Sequence, residues 1–240
     1  MRVTSCEYLI QIWHPELVKV RTILKKIILK NKESNLDFYF EKPFHNKGLF
    51  VAGVDEAGRG PVAGPVVASA VILNPEFKNI FGITDSKKLT AQKREELFRI
   101  IQDNAVSIGV GIVDNFIIDE INILQSSMKA MHKAIESLKL KPSQLFIDGN
   151  YFKVIGIPHK TIIKGDSKCL SIAAASIIAK VTRDRWMTEI ADILYPEYNF
   201  KQHKGYGTKA HMDAIKKNGV CEIHRKSFLR KFIDNEKKLF

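Results

Sequence analysis

Two adjacent carboxylates, Asp55 and Glu56, follow an apolar run that begins at Leu49 and is interrupted only by Gly53. Such a run is typical of a buried strand. Carboxylates at the end of a buried strand need compensation, because an unpaired buried charge is costly. Oxygen ligands of this kind suit Mg²⁺ or Mn²⁺. The pair therefore indicates either a metal site or a hairpin corner that Asp55 caps.

A glycine-rich turn follows the two carboxylates, with the sequence Gly58, Arg59, Gly60, Pro61. Glycines on both sides of an arginine allow backbone N–H groups to approach a phosphate or a sugar closely, while the arginine supplies charge. A second apolar run begins after Pro65. The segment thus predicts a strand, a candidate anion-binding turn and a second strand.

The segment GVDEAGRGPVAGP resembles the signature of the type 2 ribonucleases H, the bacterial ribonuclease HII family. Later segments agree with that family in the same order. The resemblance covers roughly Phe50 to Phe228 and leaves out the first 48 residues. Its later segments are DSKKL (85–89), IDGN (147–150), KGDS (164–167), AAASIIAKVTRD (173–184) and HKGY (203–206).

The resemblance implies a set of four catalytic and metal-binding carboxylates. Two cations held by shared carboxylates can activate water and stabilise the leaving oxygen of a phosphodiester. We expect Asp55 and Asp148 to bridge two Mn²⁺ or Mg²⁺ ions, with the other two as terminal ligands or as groups that position water. The implied residues are Asp55, Glu56, Asp148 and Asp166.

The resemblance also implies which residues recognise the substrate. The 2′-hydroxyl distinguishes RNA from DNA, and a backbone turn can pair with a hydroxyl that both donates and accepts. A tyrosine ring can stack on the neighbouring nucleotide, although loop packing is the alternative for Tyr206. Lysines near the carboxylates are candidates for phosphate contacts. The expected substrate-binding residues are Gly58, Arg59, Gly60, Tyr206, Lys87 and Lys164, with Lys88 and Lys168 as further candidates.

The activity that the resemblance implies is that of an endoribonuclease of DNA replication and ribonucleotide excision repair. It would hydrolyse the RNA strand of RNA/DNA hybrids and cut 5′ to single ribonucleotides in duplex DNA, leaving 3′-hydroxyl and 5′-phosphate ends. One alternative is the sister type 3 ribonuclease H, whose members lack the Gly-Arg-Gly turn. Another is a non-catalytic hybrid-binding protein, which would require the loss of a carboxylate. A third is a protein bound to a membrane surface by its basic N-terminal segment.

Apolar runs alternate with helical patterns, which predicts an α/β domain. The resemblance implies a ribonuclease H-like mixed sheet flanked by helices, with a C-terminal helical region. Strand ends at one edge of the sheet would bring the carboxylates together. Thr90, Asp114 and Thr208 precede helical patterns as candidate caps. The small residues 173–176 predict a helix packed tightly on the sheet.

Roles outside the carboxylate set are less defined by the sequence. Asp184 is expected in an ion pair or a cap, with a fifth active-site carboxylate as the alternative. His203, His211 and His224 lie in a basic region, and we expect surface or phosphate-side roles because hard cations prefer oxygen ligands. Three widely spaced cysteines indicate a reducing cytoplasm and no zinc site.

The 240 residues carry a net charge of +12, concentrated at the two ends. Residues 1–48 hold nine basic and five acidic side chains, and residues 201–240 hold eleven and four. A basic balance favours nucleic acid or an anionic membrane surface. We expect residues 1–48 to be a basic N-terminal extension and linker, serving packing or nucleic-acid contact, and residues 49–240 to be the catalytic domain. No signal peptide or membrane-spanning run is apparent, and we expect a cytoplasmic monomer.

Overall fold

A five-stranded mixed sheet forms the centre of the computed structural model, which describes residues 36–77, 82–153 and 156–230. The strands are β1 (Val51–Ala57), β2 (Val66–Leu73), β3 (Ala105–Val113), β4 (Gln144–Asp148) and β5 (His159–Ile162). Their order in the sheet is β3-β2-β1-β4-β5. β1 pairs antiparallel with β2, and β2 with β3, whereas β1–β4 and β4–β5 are parallel. The predicted mixed sheet is confirmed.

Helices flank the sheet and form the C-terminal region. The predicted caps are confirmed, since the side chains of Thr90, Asp114 and Thr208 each accept a hydrogen bond from an amide three residues later. Short 3₁₀ turns lie at Ser86–Lys88, Gly165–Ser167 and Pro196–Tyr198, a π-helical turn lies at Met187–Ala191, and residues 226–230 are helical. The α-helices are α1 (Lys42–His45), α2 (Ala91–Asn104), α3 (Asn115–Glu136), α4 (Leu170–Trp186), α5 (Asp192–Leu194), α6 (Phe200–His203) and α7 (Lys209–Asn218).

The core lies on both faces of the sheet. Ala52 and Val54 of β1 pack with α3 on one face, while α2 and α4 cover the other. Gly53 is required by the close approach of α4, because an added Cβ would lie 2.0 Å from the backbone carbon of Ser171. The alanines 173–175 of α4 are fully buried, which confirms the packing role predicted for this small-residue run.

Residues 36–48 pack as part of the compact unit that begins at Leu36. Glu41 is 1% exposed, and its carboxylate accepts hydrogen bonds from the Ser171 amide (2.9 Å) and hydroxyl (2.7 Å) at the first turn of α4. The rings of Phe40 and Phe44 contact Phe146 of β4. We accordingly propose that the N-terminal extension ends near residue 35, instead of at 48. Residues 1–35 of the predicted basic extension, and residues 231–240, lie outside the described residues.

Candidate active site

The parallel pairing of β1 and β4 places the first two carboxylates side by side. Val54 of β1 is in register with Ile147 of β4. The next residues in that register are Asp55 and Asp148, on strands that lie about 4.8 Å apart. Because the strands are parallel, both carboxylates lie at the same edge of the sheet.

A 3₁₀ turn after β5 brings the third carboxylate to this edge. Asp166 lies within the turn Gly165–Ser167 and is 6% exposed. The amide of Gly165 donates to Asp148 Oδ1 at 2.6 Å, which ties the turn to the end of β4. Lys164 immediately precedes this turn, and its φ of +55° lies in the left-handed region. Asp55, Asp148 and Asp166 are therefore brought together by β1, β4 and the turn after β5.

Glu56 continues β1 beyond Asp55 and faces the glycine-rich turn. Its amide donates to Asp55 Oδ1 at 2.7 Å, and its carboxylate accepts from Arg59 Nη1 at 3.2 Å. The side chain of Glu56 is 11% exposed, whereas that of Arg59 is 51% exposed. All four predicted carboxylates thus lie in one region.

Burial and mutual repulsion raise the proton affinity of this cluster. Burial raises the pKa of Asp55 well above its usual range, and Glu56 and Asp148 raise it further. Burial also raises the pKa of Glu56, although Arg59 opposes the shift. Burial, followed by Asp85 and Asp148, raises the pKa of Asp166. Negative charge is therefore concentrated here beyond what the neighbouring side chains neutralise.

Lys87 supplies positive charge to the cluster. Burial by itself lowers the pKa of Lys87, but four carboxylates outweigh it and raise the pKa overall. These carboxylates are Asp166, Asp55, Asp85 and Asp148, in order of influence. Lys87 was expected to contact phosphate, and its proximity to the carboxylates is compatible with a phosphate bound at the same place.

Two residues that we did not assign to the site complete it. Asp85 lies close enough to Asp166 to raise its pKa, and Ser176 of α4 lies close enough to Asp55 to oppose the rise of its pKa. The Ser176 hydroxyl is 2.8 Å from that of Ser86, in a buried contact. Asp85 and Ser86 belong to the DSKKL motif, so the sequence offered a reason to place them at the site. Ser176, by contrast, stands in a run of small residues whose evident role is packing.

The donor set suits a hard divalent cation. Carboxylate oxygens are the ligands that Mg²⁺ and Mn²⁺ prefer, and a cation would offset the burial and the mutual repulsion that raise the pKa values of Asp55, Glu56 and Asp166. Within residues 36–77, 82–153 and 156–230, no three Asp, Glu, His or Cys side chains form a ready-made metal-binding cluster. A cation bound here would therefore have to draw the carboxylates closer together.

The glycine-rich turn and the predicted tyrosine lie side by side. Gly58 is buried with φ +95°, while Arg59 and Gly60 are exposed. A Cβ added at Gly60 would lie 3.9 Å from Tyr206 Cε1. Tyr206 is 41% exposed, so part of its ring is free to contact a substrate. The structure thus brings together two segments that are almost 150 residues apart in the sequence.

The remaining candidates have more local contacts. Lys164 is exposed beside Asp166, and Lys168 donates to the Ile163 carbonyl at 2.8 Å. Asp184 forms an ion pair with Lys180 at 2.8 Å, as expected. The Lys180 ammonium lies 5.6 Å from the centre of the Tyr206 ring. Asp184 therefore supports the edge of the site that carries the tyrosine.

The surface or phosphate-side role expected for three histidines is wrong, because all three are buried. His203 stacks on His211 with ring centres 4.2 Å apart, and His211 Nε2 lies 3.0 Å from His224 Nε2. The Tyr206 carbonyl accepts from His211 Nδ1, so His211 Nε2 must accept from His224. Burial lowers the pKa values of His211 and His224 to about 4. These neutral imidazoles pack within the C-terminal region. Through the contact of His211 with the Tyr206 carbonyl they also hold residues 204–208, the tyrosine loop, in place.

Comparison with known proteins identifies the family to which this chain is similar. The family model for ribonuclease HII matches residues 52–231. The ribonuclease HII of Acetivibrio thermocellus is 56% identical over 195 residues, covering 81% of this chain and 75% of its own. That of Clostridioides difficile is 54% identical, with coverage of 81% and 76%.

Solved structures show the same fold. The ribonuclease H2 of Pyrococcus horikoshii superposes with a TM-score of 0.63 at 30% identity, covering 79% of this chain and all of its own. A ribonuclease HIII solved in complex with Mn²⁺ shares the fold at 19% identity, with a TM-score of 0.55 and coverage of 71% and 63%. On the extent of the family match and the identity to its members, this chain belongs to the ribonuclease HII family.

Proposed function

We propose that this enzyme is an endoribonuclease that hydrolyses the RNA strand of RNA/DNA hybrids and cuts 5′ to single ribonucleotides embedded in duplex DNA. The observation that carries the proposal is the convergence of Asp55, Glu56, Asp148 and Asp166 beside the Gly58–Gly60 turn and Tyr206. Membership of the ribonuclease HII family makes the chain a ribonuclease H-type hydrolase. Products would carry 3′-hydroxyl and 5′-phosphate ends.

The carboxylates would hold divalent cations, with Mn²⁺ or Mg²⁺ favoured by the oxygen donors. Such cations activate the attacking water and neutralise charge at the leaving oxygen. Asp55 and Asp148, on adjacent parallel strands, are suited to share them. Asp166 and Glu56 flank this pair and would complete the ligand set or orient water. Lys87 would move from the carboxylates to a substrate phosphate.

Two adjacent elements would select the substrate. The backbone of Gly58, Arg59 and Gly60 can pair with a 2′-hydroxyl that both donates and accepts. The exposed part of the Tyr206 ring would stack on the neighbouring nucleotide. Lys164, exposed beside Asp166, would contact the phosphate backbone. Recognition would thus require the turn and the ring to engage adjacent nucleotides.

The alternatives are less well supported. The sister type 3 enzymes share the fold, but the chain is 54–56% identical to the two ribonucleases HII described above and carries the Gly-Arg-Gly turn. A non-catalytic hybrid-binding protein would lack part of the carboxylate set, and all four members are present. Among the helices of the described residues, none is long and apolar enough to span a bilayer. We propose a monomer acting in the cytoplasm.

The test is cleavage of two substrates, a long RNA/DNA hybrid and a DNA duplex with one ribonucleotide, with and without Mg²⁺ or Mn²⁺. We expect cation-dependent cutting of both, with the single cut 5′ to the ribonucleotide. Metal-independent cutting, or cutting of pure DNA at a similar rate, would contradict the proposal.

Substitution within the carboxylate set provides a matched test. Asp148→Asn keeps the side-chain oxygen that accepts from Gly165 but loses the charge, so the fold should persist. We expect kcat to fall well below a tenth of the unmodified value, while hybrid binding persists because phosphate contacts dominate affinity. Asp213→Asn, in an exposed pair with Lys209, is the control and should retain activity. A kcat for Asp148→Asn above about a tenth of normal would remove that residue from the metal site.

A further inference from the structure

Two buried arginines bind the backbone of the glycine-rich segment 58–65 from inside the protein. Arg225 is fully buried and donates four hydrogen bonds to this segment. Its guanidinium contacts the carbonyls of Gly58 (2.7 Å), Arg59 (3.1 Å), Pro61 (2.8 Å) and Gly64 (2.9 Å). The turn therefore directs several of its carbonyl groups towards one guanidinium.

Arg183 of α4 has a different position, because it contacts both the segment 58–65 and the loop that carries Tyr206. It is also fully buried, and it donates to the carbonyls of Pro65 (2.9 Å) and Ala63 (3.0 Å). Its third contact is the carbonyl of Lys204, at 3.0 Å, two residues before Tyr206. The guanidinium carbon lies 6.0 Å from the centre of the Tyr206 ring.

The two segments that Arg183 joins also meet through their backbones. The amide of Val62 donates to the Gly205 carbonyl at 2.9 Å. Gly205 has φ +80°, and an added Cβ would lie 2.6 Å from the Ala63 carbonyl oxygen. Arg183 thus lies at a close-packed junction, where a small displacement of one segment would displace the other.

Side-chain packing alone does not explain why these two arginines are buried, because burying a charge costs free energy. Among the described residues, neither Arg183 nor Arg225 has a carboxylate within ion-pair distance. A charge buried without an ion-pair partner is costly unless hydrogen bonds compensate it. The planar guanidinium offers five donors in a fixed fork, which an apolar side chain cannot replace. The arrangement is therefore suited to holding several carbonyls at fixed separations.

We propose that Arg183 is a positioning residue that fixes Tyr206 relative to the Gly58–Gly60 turn, and so sets the preference for a single ribonucleotide over a continuous RNA strand. The inference rests on the proposed function, in which the turn reads the 2′-hydroxyl and the ring stacks on the next nucleotide. A single ribonucleotide offers one register, so both elements must be correctly spaced at once. A long hybrid can bind at many equivalent positions along its RNA strand, so it tolerates an error in the spacing between the turn and the ring.

The first test replaces Arg183 by lysine, which keeps the charge but lacks the fork that spans three carbonyls. We expect kcat/KM for the single-ribonucleotide duplex to fall about tenfold or more, and that for the long hybrid to fall by about threefold or less, since misplacement by about 1 Å is costly in a positioned site. Arg185→Lys is the matched control, because Arg185 lies on the same helix and pairs with Glu95 at the surface. Equal losses of Arg183→Lys on both substrates would overturn the proposal.

A double-mutant cycle distinguishes positioning from general destabilisation. If Arg183 acts through the ring, Arg183→Lys should add little on the single-ribonucleotide duplex once Tyr206→Ala is present. Full additivity of the two losses would overturn the proposal. If Tyr206→Ala itself leaves selectivity unchanged, the proposed function fails at that residue. If Tyr206→Ala changes selectivity but Arg183→Lys does not, only the present inference fails.

Two further measurements test the proposal, and the first does not require Arg183→Lys to fold. Gly205→Ala disturbs the same junction from the opposite side, and it should reproduce the selective loss. Unchanged selectivity in Gly205→Ala would overturn the proposal. In folded Arg183→Lys, amide hydrogen exchange should accelerate at Val62, whose bond to Gly205 joins the two segments, but not at Val54 within the sheet. Exchange at Val62 equal to that of the unmodified chain would likewise overturn it.

Discussion

Removing residues 1–48 should destabilise the sheet domain far more than removing residues 1–35. The difference lies in residues 36–48, which pack on α4 and β4. Glu41 accepts two hydrogen bonds from Ser171 and one from the Cys169 thiol, and so caps α4 from a distant part of the chain. The rings of Phe40 and Phe44 lie 6.0 and 5.8 Å from that of Phe146.

The expected loss follows from these contacts. Loss of a helix N-cap costs about 0.5–2 kcal/mol. Each aromatic pair contributes about 0.5–1.5 kcal/mol beyond area burial. Phe146 is 3% exposed and would become partly exposed, which costs roughly another 1.5 kcal/mol or more. We therefore expect a loss on the order of 4 kcal/mol, a large part of the roughly 5–15 kcal/mol typical of a domain.

The assay compares chains that begin at residues 36 and 49, by urea unfolding and by thermal melting. For a domain of this size, a loss of 4 kcal/mol corresponds to a fall in Tm of roughly 8–16 °C. Glu41→Gln is the internal control, because it keeps the accepting Oε1 and replaces Oε2, which has no hydrogen-bond partner among the residues that the structure describes. It should cost much less than the truncation. Equal midpoints for the two truncated chains would refute the assignment of residues 36–48 to the domain.

Three other changes have defined outcomes. Tyr206→Ala should reduce single-ribonucleotide cleavage roughly ten- to a hundred-fold and hybrid cleavage less, whereas Tyr206→Phe should retain both, as kcat/KM on the two substrates will show. Gly58→Ala should destabilise the chain and impair both activities, because φ is +95° and its Cβ would lie 2.2 Å from Arg183 Nε; equal melting temperatures would contradict this. Burial lowers the pKa values of His211 and His224 to about 4, against about 6.5 in the unfolded chain. The two neutral imidazoles therefore contribute fully to the free energy of unfolding above pH 6.5, and this contribution is lost as the pH falls towards 4. Urea unfolding of His224→Gln should show a flatter profile across that range, and an equally steep profile would exclude the imidazoles as its cause.

The cap residues and most of the strands were predictable because they depend on local patterns. Thr90, Asp114 and Thr208 cap helices through bonds to amides three residues away, which depend on sequence neighbours alone. The apolar runs predicted as strands after Leu49 and after Pro65 form β1 and β2. The identities of the four carboxylates came from their motifs through the family resemblance, and spacing along the chain could not have grouped them.

Which distant groups meet depends on the folded chain. The parallel register of β1 and β4 places Asp55 beside Asp148, and nothing within either segment specifies that pairing. The burial of His211 and Arg183 was not predictable either, because both stand among basic residues that suggest a solvated surface. Their environments depend on carbonyl groups contributed from elsewhere in the chain, at Tyr206 and Ala63. A charged or polar side chain can be buried only where such partners converge, and that convergence is a property of the folded chain.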